Sequence, residues 1–234
     1  MKLALEKTTG HHPAHSQIAI KNRSLPYVLC LAFTISCHFS KPYNYKLFPQ
    51  DFQSIQREYD NYYHLAGCQP GETIASIGAG NGLKEIQISY FVEDITWFLQ
   101  EIDSARLYDF YDVLAHHENI AETPKATFNL VVGTEKSTNL PKATFDRILM
   151  INVFHEIEAR KDIMMDVHGL LKDTGELVIM ERMGKNPGEI HGDCKYPRLI
   201  ETDFLAEMEG YGYRLSHKQL GEEMSNLMFY VFDN

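Results

Sequence analysis

The chain is short of positive charge, of clustered cysteine and of long apolar runs, and each shortage removes a class of function. Its 22 lysines and arginines face 32 aspartates and glutamates, a formal net charge of −10 at pH 7. Non-specific nucleic-acid binding depends on neutralising phosphates, so a chain this acidic is a poor candidate for it unless a local basic patch exists. The four cysteines, Cys30, Cys37, Cys68 and Cys194, are scattered. With no C-x-x-C pair and no His/Cys cluster along the sequence, no metal site is expected. No apolar run reaches the roughly 18 residues of an ordinary membrane-spanning helix. No internal repeat is visible. What remains is 234 residues, 44% hydrophobic and 23% charged. That is an ordinary globular composition, long enough for one α/β domain with a sizeable core.

The informative stretch runs from Glu72 to Asp103. Thr73–Ile77 is short, mostly apolar and partly β-branched, which suits a strand buried on both faces of a parallel sheet. Three glycines follow at every second position, Gly78, Gly80 and Gly82. A turn without Cβ atoms lets a ligand lie close against the backbone, and the N-terminus of a following helix points free N–H groups at it. A dinucleotide site wants G-x-G-x-x-G, but Leu83 stands where its third glycine belongs, which disfavours an NAD-linked oxidoreductase. The spacing is G-x-G-x-G, and at this point the stretch resembles motif I of the class I S-adenosylmethionine (SAM) dependent methyltransferases. Glu101, about twenty residues past the turn, stands where an acidic residue closes the second strand and binds a ribose. Asp103 is the alternative for that role, although it reads better as the N-cap of a helix starting near Ser104.

A second match lies at Phe145–Ile157, where "F-D-x-I" is followed by an apolar run and "V-F-H-x-I", as in strand four of many small-molecule methyltransferases. Lys172–Glu181 resembles the family's turn and fifth strand, with Thr174 in place of its first glycine. The resemblance covers about Phe48 to the C-terminus. It implies a Rossmann-like methyltransferase fold: a seven-stranded, mostly parallel sheet in the order 3-2-1-4-5-7-6, helices on both faces, and strand seven reversed. It implies SAM as cofactor. Gly78, Gly80 and Gly82 would let its amino-acid end approach, and Glu101 would accept both ribose hydroxyls. Glu135 would stand in for the acidic residue that meets adenine, since the first loop position after strand three is Thr134. Asn152 would face the methionine end, or else be a turn residue.

The acceptor side is read from the loops. His155 and Glu156 follow strand four, where a substrate can reach them. His155 is the best general-base candidate, against the plainer reading of a packed loop histidine. His191 and Cys194 sit in the long segment 182–199, which resembles a substrate cover; their plainer readings are a surface histidine and a buried thiol. Strand four lacks the [Asp/Asn/Ser]-Pro-Pro-[Tyr/Phe] sequence by which nucleic-acid and protein-glutamine methyltransferases grip a planar nitrogen. With the acidic charge, this favours a small-molecule substrate over nucleic acid. A SAM-fold protein that binds without turnover is the non-enzyme alternative.

Ahead of the methyltransferase domain, assigned to 48–234, lie a polar stretch with His11, His12 and His15 and then an apolar segment. Residues 21–37 have a basic flank, an uncharged run and Ser36-Cys37, a layout that resembles a bacterial lipoprotein signal. Under that reading Cys37 carries lipid and anchors the protein to a membrane. The alternative is a buried N-terminal helix or strand of a cytoplasmic enzyme. In the domain, helices are expected over 48–66, 104–117, 158–171 and 201–210.

Overall fold

The structure, a computed structural model, describes residues 48–192, 194–221 and 226–233. The N-terminal readings, the histidines and the signal-like segment 21–37, lie outside the described residues. No helix among the described residues is long and apolar enough to cross a membrane.

The first strand, β1 (Thr73–Ile77), is central to the sheet, and four of its five residues are buried. It pairs in parallel with β2 (Ile95–Glu101) on one side and β4 (Phe145–Ile151) on the other. The edge strand β3 (Ala126–Val132) continues past β2, and β5 (Leu171–Arg182) lies beside β4, all parallel. Then β7 (Leu227–Asp233) runs antiparallel to β5, with β6 (Arg214–Leu220) antiparallel outside it. The resulting order, β3-β2-β1-β4-β5-β7-β6, is the one the resemblance implies.

Period-two alternation sends each strand's side chains to two apolar layers. Ile74, Trp97, Leu99, Leu149 and Val178 pack on one face against Ile86, Ile88, Phe110 and Val113. Ala75, Ile77, Ile148, Met150 and Ile179 pack on the other against Ile163, Met164, Val167 and Phe204. The helices supplying these residues are α2 (Leu83–Ile88) and α4 (Phe110–Glu118) on the first face, and α5 (Arg160–His168) and α6 (Glu201–Gly210) on the second. At the outer edge, β6 is almost wholly exposed and polar, a composition that discourages edge-to-edge pairing.

Helix limits differ from the sequence expectations where a side chain intervenes. The stretch 104–117 is two helices, α3 (Ser104–Tyr108) and α4, meeting at Asp109. Asp103 caps α3, accepting from the N–H groups of Ala105 and Arg106. The expected 48–66 helix is α1 (Phe52–Asn61) plus a 3₁₀ turn over Tyr63–Ala66. Its rings stack on Phe91, past the far end of α2 from the glycine turn: Phe52 at 5.7 Å and Tyr59 at 4.3 Å between centroids. The helix after β4 starts at Arg160 and ends at His168, because Leu171 already belongs to β5.

The amino ends of the strands are tied by ions. Arg147 bonds Glu72 (3.3 Å) and Glu176 (2.7 Å). Asp146 accepts from Thr73 N and Lys172 Nζ. This network leaves the carboxyl edge of the sheet, where strand order reverses between β1 and its neighbours, as the place for chemistry.

Candidate active site

The turn after β1 has all three glycines at positive φ: 66° at Gly78, 60° at Gly80 and 71° at Gly82. Close packing, as well as conformation, demands glycine at the outer two. A Cβ on Gly78 would fall 2.3 Å from Val153 Cγ2, and one on Gly82 would fall 2.7 Å from Phe110 Cδ2 and 2.8 Å from Leu99 Cδ1. Only Gly80 faces a long, flexible neighbour, the Arg106 guanidinium, with Nε 3.1 Å from the built Cβ. Three glycines therefore do two jobs here: the outer pair seats the turn on the protein, and the middle one lies against the Arg106 guanidinium.

Glu101 ends β2 and is buried. Its Oε2 accepts from Gly80 N at 3.0 Å, and its Oε1 accepts from Ile102 N at 2.8 Å and Asp103 N at 3.2 Å. The carboxylate thus stitches the glycine turn to the loop after β2. A carboxylate offers about four lone-pair directions, so capacity for ligand donors remains. Asp103 is committed to capping α3. Alongside lies a cavity of about 630 Å³ lined by Ile102, Asp103, Gly133, Thr134, Glu135 and Lys136. Thr134 Oγ1 accepts from Lys136 N and Ser137 N and folds the loop, while Glu135 stands exposed at the lip.

Past β4, Asn152 adopts a left-handed conformation (φ 52°) and its N–H donates to Met180 O. Asparagine tolerates this region better than most residues. Its Oδ1 is buried and has no hydrogen-bond partner among the described residues. An orphaned acceptor of this kind asks for a donor from outside the chain. Lys84, on the first turn of α2, donates to Ile151 O at 3.1 Å. Burial lowers its pKa against the opposing pull of Glu85, Glu181 and Glu156, and Arg106 adds to the lowering. Lys84 therefore lies within electrostatic reach of both the glycine side and the β5 side of the cleft.

The acceptor side is built around His155, which sits in a 3₁₀ turn (Phe154–Glu156) and is buried. Glu181, near the carboxyl end of β5 and 1% exposed, holds it. His155 Nδ1 lies 3.0 and 2.9 Å from the two Glu181 oxygens, and His155 N donates to Oε1 at 3.3 Å. A carboxylate on Nδ1 puts the ring proton there and leaves the lone pair on Nε2. Nε2 meets Cys194 Sγ at 3.2 Å, with Glu156 Oε1 at 3.6 Å. Burial works to lower the His155 pKa, but the Glu181 hydrogen bond and charge, with Glu156, outweigh it and the net shift is upward. The ring of His191 stacks on that of His155, centroids 4.7 Å apart and 9° from parallel. Both His191 and Cys194 arrive on the turn closed by the bridge between Ile190 and Pro197. A cleft of about 800 Å³ opens beside them, its lining including His155, Glu156, Arg160, Tyr196, Arg198 and Tyr211.

Sequence reasoning named His155, Glu156, His191 and Cys194, and the fold brings them together. It put Gly78, Gly80 and Gly82 in one turn, Glu101 at the end of β2, Asn152 just past β4 and Glu135 on the loop after β3, and the structure has them at those places. It passed over Glu181, Lys84 and Arg106. Glu181 was visible as the last residue of the strand-five pattern; nothing local distinguished the other two. The expectation of no His/Cys cluster needs correction, because it considered neighbours along the chain only. In the fold, one ligand atom each from His155, His191 and Cys194 lie within 4.8 Å of one another.

Comparison with known proteins agrees with the fold. Residues 97–179 match the family described as "Methyltransferase domain". The fold is similar to that of a SAM-dependent methyltransferase from Aquifex aeolicus, at 16% identity and TM-score 0.58, covering 78% of this chain and 97% of that one. It is similar to mitomycin 7-O-methyltransferase MmcR (13%, TM-score 0.59, 78% of this chain and 53% of that one). It is also similar to glycopeptide N-methyltransferase MtfA (16%, TM-score 0.56, 79% and 91%). No curated protein matches the chain by sequence.

Proposed function

We propose that the chain is a class I SAM-dependent methyltransferase that moves the methyl group to a small-molecule acceptor bound beside His155, a reading supported by the methyltransferase-domain match and the shared fold. The observation that carries the acceptor reading is the cleft of about 800 Å³ bordered by His155 and Glu156. Pockets for small ligands run from roughly 300 to 1,000 Å³. The chain's net charge of −10 and its lack of a nitrogen-gripping Pro-Pro sequence after β4 point the same way.

The residues present fit the cofactor. In this reading Glu101 accepts the ribose hydroxyls with the lone pairs its backbone donors leave over. The loop carrying Thr134 and Glu135 borders the adenine. The buried Asn152 Oδ1 takes a hydrogen bond from the α-ammonium of the methionine part, which would satisfy its missing partner. Arg106 and Lys84 supply positive charge near its carboxylate, and Arg106 turns aside from Gly80 to admit the cofactor. Gly80 leaves room against the backbone, while Gly78 and Gly82 hold the turn in place.

SAM supplies an electrophilic methyl on a sulfonium sulfur. The protein's part is to hold an acceptor in line with it, which can lower the barrier by several kcal/mol through orientation alone. In this reading an acceptor that must lose a proton gives it to Nε2 of His155. Glu181 keeps the ring in the right tautomer and stabilises the imidazolium that forms. Glu156 and His191 shape the rim around that nitrogen.

The test is incubation of cell extract with methyl-labelled SAM and the purified protein. Label is expected in a species of small mass; label confined to protein or nucleic acid overturns the small-molecule reading. Calorimetry should show binding of SAM and S-adenosylhomocysteine but not NAD. Binding with no turnover across extracts would return the non-catalytic alternative.

A further inference from the structure

We propose that His155, His191 and Cys194 form a binding site for a soft divalent cation, zinc(II) in the first instance. The site goes beyond the methyl-transfer reading and stands without it. The local sequence announces it only in part, since His155 follows β4 and the other two come from the segment after β5. Within that segment, however, His191-Gly-Asp-Cys194 places two soft ligands with two residues between them. This is the short chelating interval common in zinc sites, normally seen as a pair of cysteines.

Three features of the geometry support it. His155 Nε2 and Cys194 Sγ are 3.2 Å apart. Tetrahedral zinc, with bonds near 2.05 Å to nitrogen and 2.3 Å to sulfur, holds such a pair roughly 3.5 Å apart. The three ligand atoms span at most 4.8 Å, so closing on an ion asks for about an ångström of movement at the widest pair. The parallel stacking of the two rings shows where it is needed: His191 must turn to aim a nitrogen at the common centre.

The second feature is the outer partner. Glu181 holds Nδ1 of His155 with both oxygens, from a position 1% exposed. A carboxylate on the far nitrogen of a metal-ligating histidine fixes the tautomer and raises ligand basicity. The third is charge. A cysteine thiolate and the buried Glu181 carboxylate together balance a dication, whereas a thiolate without one would add a second negative charge beside Glu181. Three protein ligands leave a fourth position, and Glu156 Oε1, 3.6 Å from His155 Nε2, stands on that side. When the site is loaded, the Nε2 lone pair belongs to the cation, so His155 is not then a free base.

The experiment uses the full chain, stripped with a chelator and titrated with zinc(II) against a chromophoric competitor. One equivalent is expected to bind, with at least a tenfold loss of affinity in Cys194→Ser and in His191→Ala. Glu181→Gln, which alters only the outer partner, is expected to weaken binding about 10- to 100-fold. Cobalt(II) in place of zinc should give a thiolate charge-transfer band that Cys194→Ser abolishes. A variant with His11, His12 and His15 changed to Ala controls for chelation by the N-terminal region and should bind as the parent does. Circular dichroism of each variant checks the fold. The proposal is overturned if the parent takes up no stoichiometric zinc, if Cys194→Ser binds unchanged, or if the His11/His12/His15 variant loses the metal. SAM calorimetry on the same samples separates the two readings: zinc uptake without SAM binding would sink the methyl-transfer reading and leave this one standing.

Discussion

Substituting Gly78 by alanine probes the seat of the glycine turn, and its cost follows from the structure in two parts. The residue has φ 66°, and an L side chain in the left-handed region costs roughly 1–2 kcal/mol. The new Cβ would also fall 2.3 Å from Val153 Cγ2, well inside contact, and relieving such an overlap costs about 1–3 kcal/mol. Gly78→Ala should therefore lose about 2–5 kcal/mol of stability. Val153→Ala alone removes two methyls from a half-buried side chain and should cost about 1–1.5 kcal/mol. It also takes away the 2.3 Å and 3.3 Å neighbours, leaving Val153 Cβ at 3.0 Å as the nearest of the three. The double variant should consequently be more stable than the sum of the singles predicts, by about 1–3 kcal/mol. Urea denaturation of all four proteins, with m values compared to check two-state behaviour, measures this coupling directly. Additivity within about 0.5 kcal/mol would refute the claim that Val153 fills the space a Gly78 side chain would need. Loss of SAM binding in Gly78→Ala that returns in the double variant would show that this packing holds the cofactor turn in shape.

Three further outcomes are expected. Glu101→Ala takes away the acceptor for Gly80, Ile102 and Asp103 N–H, and in the proposed site the ribose contact. SAM affinity should fall by roughly 1.5–3 kcal/mol in calorimetry, and unchanged affinity in a folded variant would remove Glu101 from the site. Arg147→Ala leaves Glu72 largely buried without its cation, and should cost about 2–4 kcal/mol in urea melts; a loss under about 1 kcal/mol would deny the network a structural role. Glu85 is buried against Ser76 Oγ, and burial raises its carboxyl pKa above the ordinary 4.5, Lys84 and Ser76 opposing. A raised folded pKa means its stabilising contribution is complete below 4.5 and is lost as pH climbs through the folded value. Glu85→Gln should therefore flatten the fall of stability as pH rises above 4.5, and a slope equal to the parent's would show that Glu85 does not contribute to it.

How much of this was legible beforehand depended on the range of the interaction. The strands announced themselves because burial on both faces writes a short apolar run, as in Thr73–Ile77 and Phe145–Ile151. The glycine turn, the spacing to Glu101 and the cap at Asp103 were legible because each is settled within a few residues or one βαβ unit. From those, the family's strand order followed. The tertiary structure alone decided what depends on chain segments meeting. Val153 closes on Gly78, and Phe110 on Gly82, only because β4 and α4 pack against the turn. Asn152 has a buried oxygen without a partner among the described residues, which no local pattern announces. His155, His191 and Cys194 converge because β5 delivers the 190–197 turn to the carboxyl end of β4. Local propensity encodes none of these meetings; they arise when packing two apolar layers brings distant polar groups to one edge of the sheet.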